Sequence, residues 1–214
     1  MKMNFVVKTT AKVACEGKCE SLDEKRIVPK MMLRRRLTRG ARIMVYLADA
    51  CAFTEGRVVY GSAYGEMQAT ADIVGAIDAN EPISPTAFQN SVYNTAPSYF
   101  SLLHKNKNEI LTVSSGDETS RNVLQTGALQ AVTSGEEVLL VCSEAINIPN
   151  IEEVNSCTDY LESGVALTLT PTTQEADTEI VVQKHTGYAP SLWAMLDVVT
   201  ACESKEGAVV ALEL

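Results

Sequence analysis

The chain is 214 residues long, 46% apolar and 21% charged, with a formal net charge of −9. That length supports one sizeable core and falls short of two ordinary domains, and the composition is globular rather than disordered. The acidic balance argues against broad nucleic-acid binding, and no run approaches the roughly 18 to 20 apolar residues of a membrane span. The opening MKMNFVVKTTAK runs into charged sequence without a small-residue cleavage site, so no signal peptide is read and a cytoplasmic location is expected.

In chain order, an opening strand is expected from Val6 to Val13, then a polar loop to about Arg36. Thr38 suits the N-cap of a helix carrying Ala41, Ile43, Met44, Tyr46, Leu47 and Ala50 at helical spacing. Arg57 to Ser62 reads as a buried strand with Gly61 near its end, and Gly65 to Ile77 as a helix with Met67, Thr70, Ile73, Val74 and Ile77 along one side. Pro82 and Pro85 break the chain. A second helical stretch is expected from Thr86 towards His104, kinked or split by Pro97.

A short strand follows at Glu109 to Val113, a helix at Thr119 to Val132, and strands at Val138–Cys142, Val165–Leu169 and Glu179–Gln183. A last helix is expected at Trp193 to Thr200. Strands alternating with helices predict an α/β fold on a largely buried sheet, with residues 1–214 as a single domain.

Two clusters stand out. Arg34, Arg35, Arg36, Arg39 and Arg42 form a basic run in an acidic chain, either a solvated approach to a helix or a docking patch for an acidic partner. Cys15 and Cys19 make a C-x-x-x-C pair with no second pair at zinc-ligand spacing. With no secretory context a disulfide framework is not expected, and neither a metal nor a cofactor is read. Cys142 ends an apolar run and suits a buried, inert thiol.

The segments R-V-V-Y-G-S-A-Y-G-E (57–66), I-S-P-T-A-F-Q-N-S-V-Y-N-T-A-P-S-Y-F-S (83–101) and T-V-S-S-G-D-E-T (112–119) are followed by a helix, the turn Ser134-Gly135-Glu136 and the strand Val138–Cys142. In this order they resemble the N-terminal half of a β-ketoacyl synthase of the thiolase superfamily. Within it, the chain is similar to the short, free-standing β-ketoacyl synthase N-terminal-like proteins of aryl polyene and related pigment pathways. The resemblance covers roughly residues 38 to 170 and implies a layered α-β-α domain with a mixed sheet.

It also implies where catalysis would reside. An active ketosynthase presents a cysteine at the N-terminus of a buried helix, where the helix dipole and end N–H groups favour thiolate and an oxyanion. Here that turn reads Gly116-Asp117-Glu118-Thr119, which puts Asp117 or Glu118 at the nucleophile position. A carboxylate there is a poor acyl acceptor and would repel a malonyl group. Neither His104 nor His185 lies in a motif matching the family's catalytic histidines, and the C-terminal half of a full ketosynthase is almost wholly absent. His104 is read as ending a helix, where a cation is favourable.

The implied role is therefore a non-catalytic subunit, a chain-length factor paired with a catalytic ketosynthase, with acyl carrier protein as a candidate further partner and a homodimer left open for the isolated chain. Carried over from the family, Ile110, Leu111, Thr112, Val113 and Ser114 form the strand that pairs across the dimer; Tyr93 and Phe100 belong either to the same interface or, with Pro97 and Tyr99, to a kinked buried helix. Thr70, Ile73 and Ile77 line the floor of the partner's acyl tunnel. Without the resemblance, Ile73 and Ile77 read as plain core. Two other functions remain open, a diverged acyltransferase or hydrolase and a homodimeric thiolase-fold binding protein.

Overall fold

Runs of β-branched and apolar residues build six strands, and amphipathic segments between them build helices that cover both faces of one sheet. The computed structural model describes residues 1–20, 22–149, 151–153, 161–203, 205 and 207–213. In chain order these hold β1 (Lys2–Cys15), α1 (Glu24–Ile27), α2 (Met31–Arg34), α3 (Arg39–Ala50), β2 (Arg57–Gly61), α4 (Met67–Asp78), α5 (Pro85–Asn90), α6 (Thr95–His104) and β3 (Ile110–Val113). After a 3-10 turn at Gly116–Glu118 come α7 (Thr119–Ser134), β4 (Val138–Ala145), β5 (Glu162–Thr172), α8 (Trp193–Cys202) and β6 (Ala208–Glu213).

The sheet order is β3-β2-β4-β5-β1-β6. β2 runs parallel to β3 and β4, whereas β5 pairs antiparallel with β4 and β1, and β6 antiparallel with β1. The sheet is therefore mixed, and the fold is the expected α-β-α layering of a thiolase-like domain. β4 shows why: with helices on both sides, every one of its residues is buried. Leu139 and Val141 pack into the cluster of α3 and α6, while Val138, Leu140 and Cys142 pack into that of α7 and α8.

Local chemistry places the layers. Thr38 caps α3 by accepting the Ala41 N–H at 3.1 Å, and Ala41, Met44, Leu47 and Ala48 fall on its buried side. α7 reaches the sheet through Gly61, where a Cβ would stand 2.5 Å from Val123 Cγ2 and 2.8 Å from both Cys142 Sγ and Thr119 Cγ2. Two of these neighbours are stiff β-branched side chains. Gly61→Ala is accordingly expected to cost about 1–3 kcal/mol of stability by overpacking, measured as a lower urea midpoint at unchanged slope. A variant as stable as the parent would show that α7 has room to move off the sheet.

Several expectations are corrected. The polar loop before Arg36 contains α1 and α2. The helix expected across 86–104 is two helices divided at 91–94; Pro97 lies in the first turn of α6, where it disrupts no intrahelical bond. Glu179–Gln183 is not a strand: Val181 and Val182 are exposed, and the Gln183 N–H goes to the Asp197 carboxylate on α8. The sixth strand is β6. Its outer edge is occupied by the Asp177 and Thr178 N–H groups, which donate to Val209 O, and by the Asp177 carboxylate, which accepts the Val209 N–H. Cys15 and Cys19, not expected to pair, are joined as a disulfide.

Candidate functional site

The parallel strands β2, β3 and β4 end on the same side of the sheet, and the loops leaving them form the region that open α/β sheets use for ligands and chemistry. Its centre is a buried carboxylate. Glu144, near the end of β4, is 1% exposed and accepts four hydrogen bonds. The Ser62 hydroxyl (2.8 Å) and Tyr64 N–H (3.3 Å) donate to Oε2, and the Ala63 N–H (2.7 Å) and Ser191 hydroxyl (2.7 Å) donate to Oε1. Burial pushes its pKa up, opposed by those donors. The Ser62 oxygen in turn accepts the Gly65 N–H at 2.8 Å. One side chain thus clamps the loop after β2 and the turn before α8.

The turn expected to carry the nucleophile lies between β3 and α7. Asp117 and Glu118 are both exposed, and Glu118 forms a surface ion pair with Arg121. The residue buried at the head of α7 is Thr119. Its hydroxyl donates to Gly116 O at 2.7 Å and accepts the Ser115 N–H at 3.0 Å, which closes the turn. The next residue, Ser120, is also buried, and its oxygen accepts the Ala194 N–H at the head of α8. Both hydroxyls serve structure, and no histidine is bonded to either among the described residues.

Neither histidine occupies the turn. His104 ends α6 as expected, but it packs 4.9 Å from the Phe100 ring and burial lowers its pKa, so the neutral ring is favoured there rather than the expected cation. His185 Nε2 lies 2.8 Å from Asp197 Oδ1, a contact that ties the segment before α8 to that helix. Cys142 is wholly buried with its thiol pKa raised by desolvation, as expected of an inert thiol. Among the described residues, no three His, Cys, Asp or Glu side chains are grouped to hold a metal ion, and no helix is long and apolar enough to cross a membrane.

Beside the centre stands a helical hairpin, α4 and α5, in which no residue is buried. Val74 and Ile77 are 52% and 59% exposed, with Ile83, Phe88, Val92 and Tyr93 exposed on the same hairpin and its exit. The reading of Ile77 as core is thereby overturned, because α4 packs against α5 rather than against the sheet. Thr70 lines a groove of about 480 Å³ with Tyr64, Glu66, Met67, Val74 and Tyr93. Glu66 is the N-cap residue of α4 and also lines a second groove of about 560 Å³ towards α3. Its Oε1 accepts the Thr38 hydroxyl at 2.7 Å, and desolvation pushes its pKa up to about 7.

The remaining predicted positions separate. Ile110, Leu111, Thr112 and Val113 form β3, which is an edge of the sheet, with Ser114 exposed just after it. Tyr93 is exposed, and its hydroxyl donates to Ala63 O at 3.2 Å. Phe100 is corrected as an interface residue: it is 0% exposed and packs on Phe53 and His104 inside the chain's own core.

The sequence matches the family model described as β-ketoacyl synthase, N-terminal domain, over residues 13–211. The chain belongs to that family. The match extends well beyond residues 38 to 170, from the last three residues of β1 to the first four of β6. Among solved structures, a ketosynthase in complex with its chain length factor from Xenorhabdus doucetiae aligns with a TM-score of 0.68 at 23% identity, covering 89% of this chain and 87% of that one. The ishigamide ketosynthase/chain length factor aligns at 0.62 and 13% identity, covering 82% of this chain and 63% of that one. A type II PKS acyl-carrier protein in complex with its ketosynthase aligns at 0.64 and 14% identity, covering 80% and 64%. At these identities the likeness is one of fold. A search of curated proteins finds no match.

Within this ketosynthase-family fold, the sequence reading missed the residues that organise the site. Glu144 and Glu66 were not singled out, although a glutamate inside the apolar run Val-Cys-Ser-Glu-Ala was a readable sign of a buried carboxylate. Thr119 was counted only as the end of the turn.

Proposed function

We propose that this ketosynthase-family protein is a non-catalytic subunit that acts as chain-length factor for a catalytic ketosynthase in aryl polyene or related polyketide or fatty-acid-like synthesis. The observation that carries the reading is the head of α7. The buried residue there is a threonine whose hydroxyl proton is committed to Gly116 O, and the neighbouring carboxylates Asp117 and Glu118 face solvent. A hydroxyl nucleophile needs a base to take its proton, and among the described residues this one gives its proton to a backbone carbonyl with no histidine bonded to it.

What supports a partner is the open side of the molecule. In this reading the β3 edge, from Ile110 to Ser114, pairs with the ketosynthase, and Tyr93 joins the same interface. The exposed apolar hairpin is covered in the complex, and Thr70, Ile73 and Ile77 then close the floor of the partner's tunnel. Carrier protein is the further partner. The stretch from Lys25 to Arg42 holds eight basic residues and no acidic one, and within it Lys30, Arg35 and Arg36 are exposed and form no ion pair among the described residues.

Co-expression with a catalytic ketosynthase of the same genome, followed by size-exclusion chromatography, is expected to give one co-eluting heterodimer. Two separate peaks would remove the reading. In the reconstituted pair, Thr70→Phe is expected to shorten the main product, read by mass spectrometry. An unchanged length would take Thr70 out of the tunnel while leaving the subunit role intact.

A further inference from the structure

Cys15, the last residue of β1, pairs with Glu162 across the β1–β5 ladder. Its sulfur is bonded to that of Cys19, with the two Cα atoms 5.2 Å apart across Glu16-Gly17-Lys18. Gly17 makes the reversal at φ +67°. Cys19 is held in place independently of this bond. Its N–H donates to Glu162 Oε2 at 2.7 Å, its carbonyl accepts Arg39 Nη2 at 2.9 Å, and it is 2% exposed. Arg39 Nε completes the unit by donating to Glu162 Oε1 at 2.6 Å.

The two cysteines differ in access. Cys15 is half-buried beside the exposed Glu16 and Lys18, whereas Cys19 lies beneath the loop. Among the described residues, the free cysteines Cys51, Cys142 and Cys202 contrast with both. All three are buried with thiol pKa values raised by desolvation, to about 11 for Cys51 and Cys202, so at neutral pH they are neither nucleophilic nor accessible.

We propose that Cys15–Cys19 is a reversible thiol–disulfide site for low-molecular-weight thiols and disulfides, and that its state sets the order of the loop between the two cysteines. In the reducing direction a small thiolate attacks the Cys15 sulfur. The S–S bond breaks, and Cys19 leaves as a thiolate that takes a proton from solvent. A second small thiolate attacks its own kind's sulfur in the mixed disulfide, forming the small-molecule disulfide and releasing the Cys15 thiolate. The two small thiolates supply the two electrons the protein disulfide accepts, and oxidation is the same sequence reversed. The Glu162–Arg39 unit keeps the Cys19 backbone seated in both states, so the separated sulfurs stay close enough to close again. The bond itself fixes only Glu16, Gly17 and Lys18. The proposal is independent of the subunit's role in synthesis.

The test uses the full-length protein, equilibrated without oxygen in mixtures of reduced and oxidised glutathione approached from both sides. Samples are quenched with N-ethylmaleimide and the peptide containing Cys15 and Cys19 is read by mass spectrometry. The expected result is a smooth, path-independent change from dithiol to disulfide, with no glutathione on Cys51, Cys142 or Cys202. Amide exchange at residues 16–18 should be about tenfold faster in the reduced protein, while the Cys19 amide changes little. Cys15→Ser should take no glutathione at Cys19. A peptide that stays dithiol or disulfide at every ratio would overturn the proposal, as would equal exchange at 16–18 in both states. An adduct on Cys19 in Cys15→Ser would overturn the assignment of Cys15 as the attacked sulfur.

Discussion

Glu144→Ala is expected to destabilise the fold by about 3–5 kcal/mol, because it strands several buried donors at about 1–3 kcal/mol each and opens a cavity. Four donors converge on this carboxylate, and the two serines that supply hydroxyls, Ser62 and Ser191, are themselves 0% exposed. Alanine leaves those hydroxyls and the Ala63 and Tyr64 N–H groups without their acceptor in a site closed to water. The damage extends along the chain, because Ser62 also receives the Gly65 N–H at the approach to α4. Glu144→Gln separates charge from volume. It keeps the shape but turns one oxygen into an N–H donor, which then faces two donors whichever way the amide points. The glutamine variant should therefore lose about 1–3 kcal/mol rather than behave as an isostere. Urea denaturation of the two variants measures both. An alanine variant within about 1 kcal/mol of the parent would mean that water reaches the site and takes over the carboxylate's role.

The layered fold was legible in the sequence because its strands are continuous β-branched runs with covers on both faces, and Val138–Cys142 is the clearest case. The helix–strand alternation around it followed from spacing alone. What was not legible depended on what each element meets. Ile73, Val74 and Ile77 repeat at core spacing, yet Ile73 is only half-buried and Val74 and Ile77 are exposed, since periodicity reports an apolar side and not what lies against it. Phe100 and Tyr93 lie in one aromatic-rich stretch, but the helix around Phe100 packs on α3 while Tyr93 stands outside it. The strand placed at Glu179–Gln183 shows the converse error, since Val181-Val182 has strand propensity but is exposed and pairs with no strand among the described residues. At the site, the turn that the resemblance indicates buries only Thr119, the last of the four residues named. The glutamates that hold the site were hidden because their role comes from donors on distant loops: Ser62 and Ser191 lie far from Glu144 in sequence, as Thr38 does from Glu66.

Glu66→Gln is expected to make the protein more stable at pH 8 while leaving it nearly unchanged at pH 4. Desolvation raises the folded-state pKa of Glu66 from 4.5 to about 7, with the Thr38 hydroxyl opposing the shift. A raised carboxylate pKa means that the folded state holds the proton more tightly than the unfolded chain does. Between pH 4.5 and 7 the folded state therefore binds more protons, and stability falls as pH rises through that window. A shift of this size corresponds to about 3 kcal/mol lost between pH 4 and pH 8. Glutamine carries no proton to lose, and its carbonyl can still accept the Thr38 hydroxyl, so its stability should lack this component. The informative quantity is the difference between the two proteins across pH, in which the contributions of all other groups cancel. It should grow from near zero at pH 4 to about 3 kcal/mol in favour of the variant at pH 8. A constant difference would show that the carboxylate is already hydrated. The Thr38 hydroxyl at the N-terminus of α3, where a Cβ on Gly40 would lie 3.1 Å from Oε1, supplies the opposing force. The observed slope therefore measures how far burial outweighs that hydrogen bond at the point where the exposed hairpin joins the body of the protein.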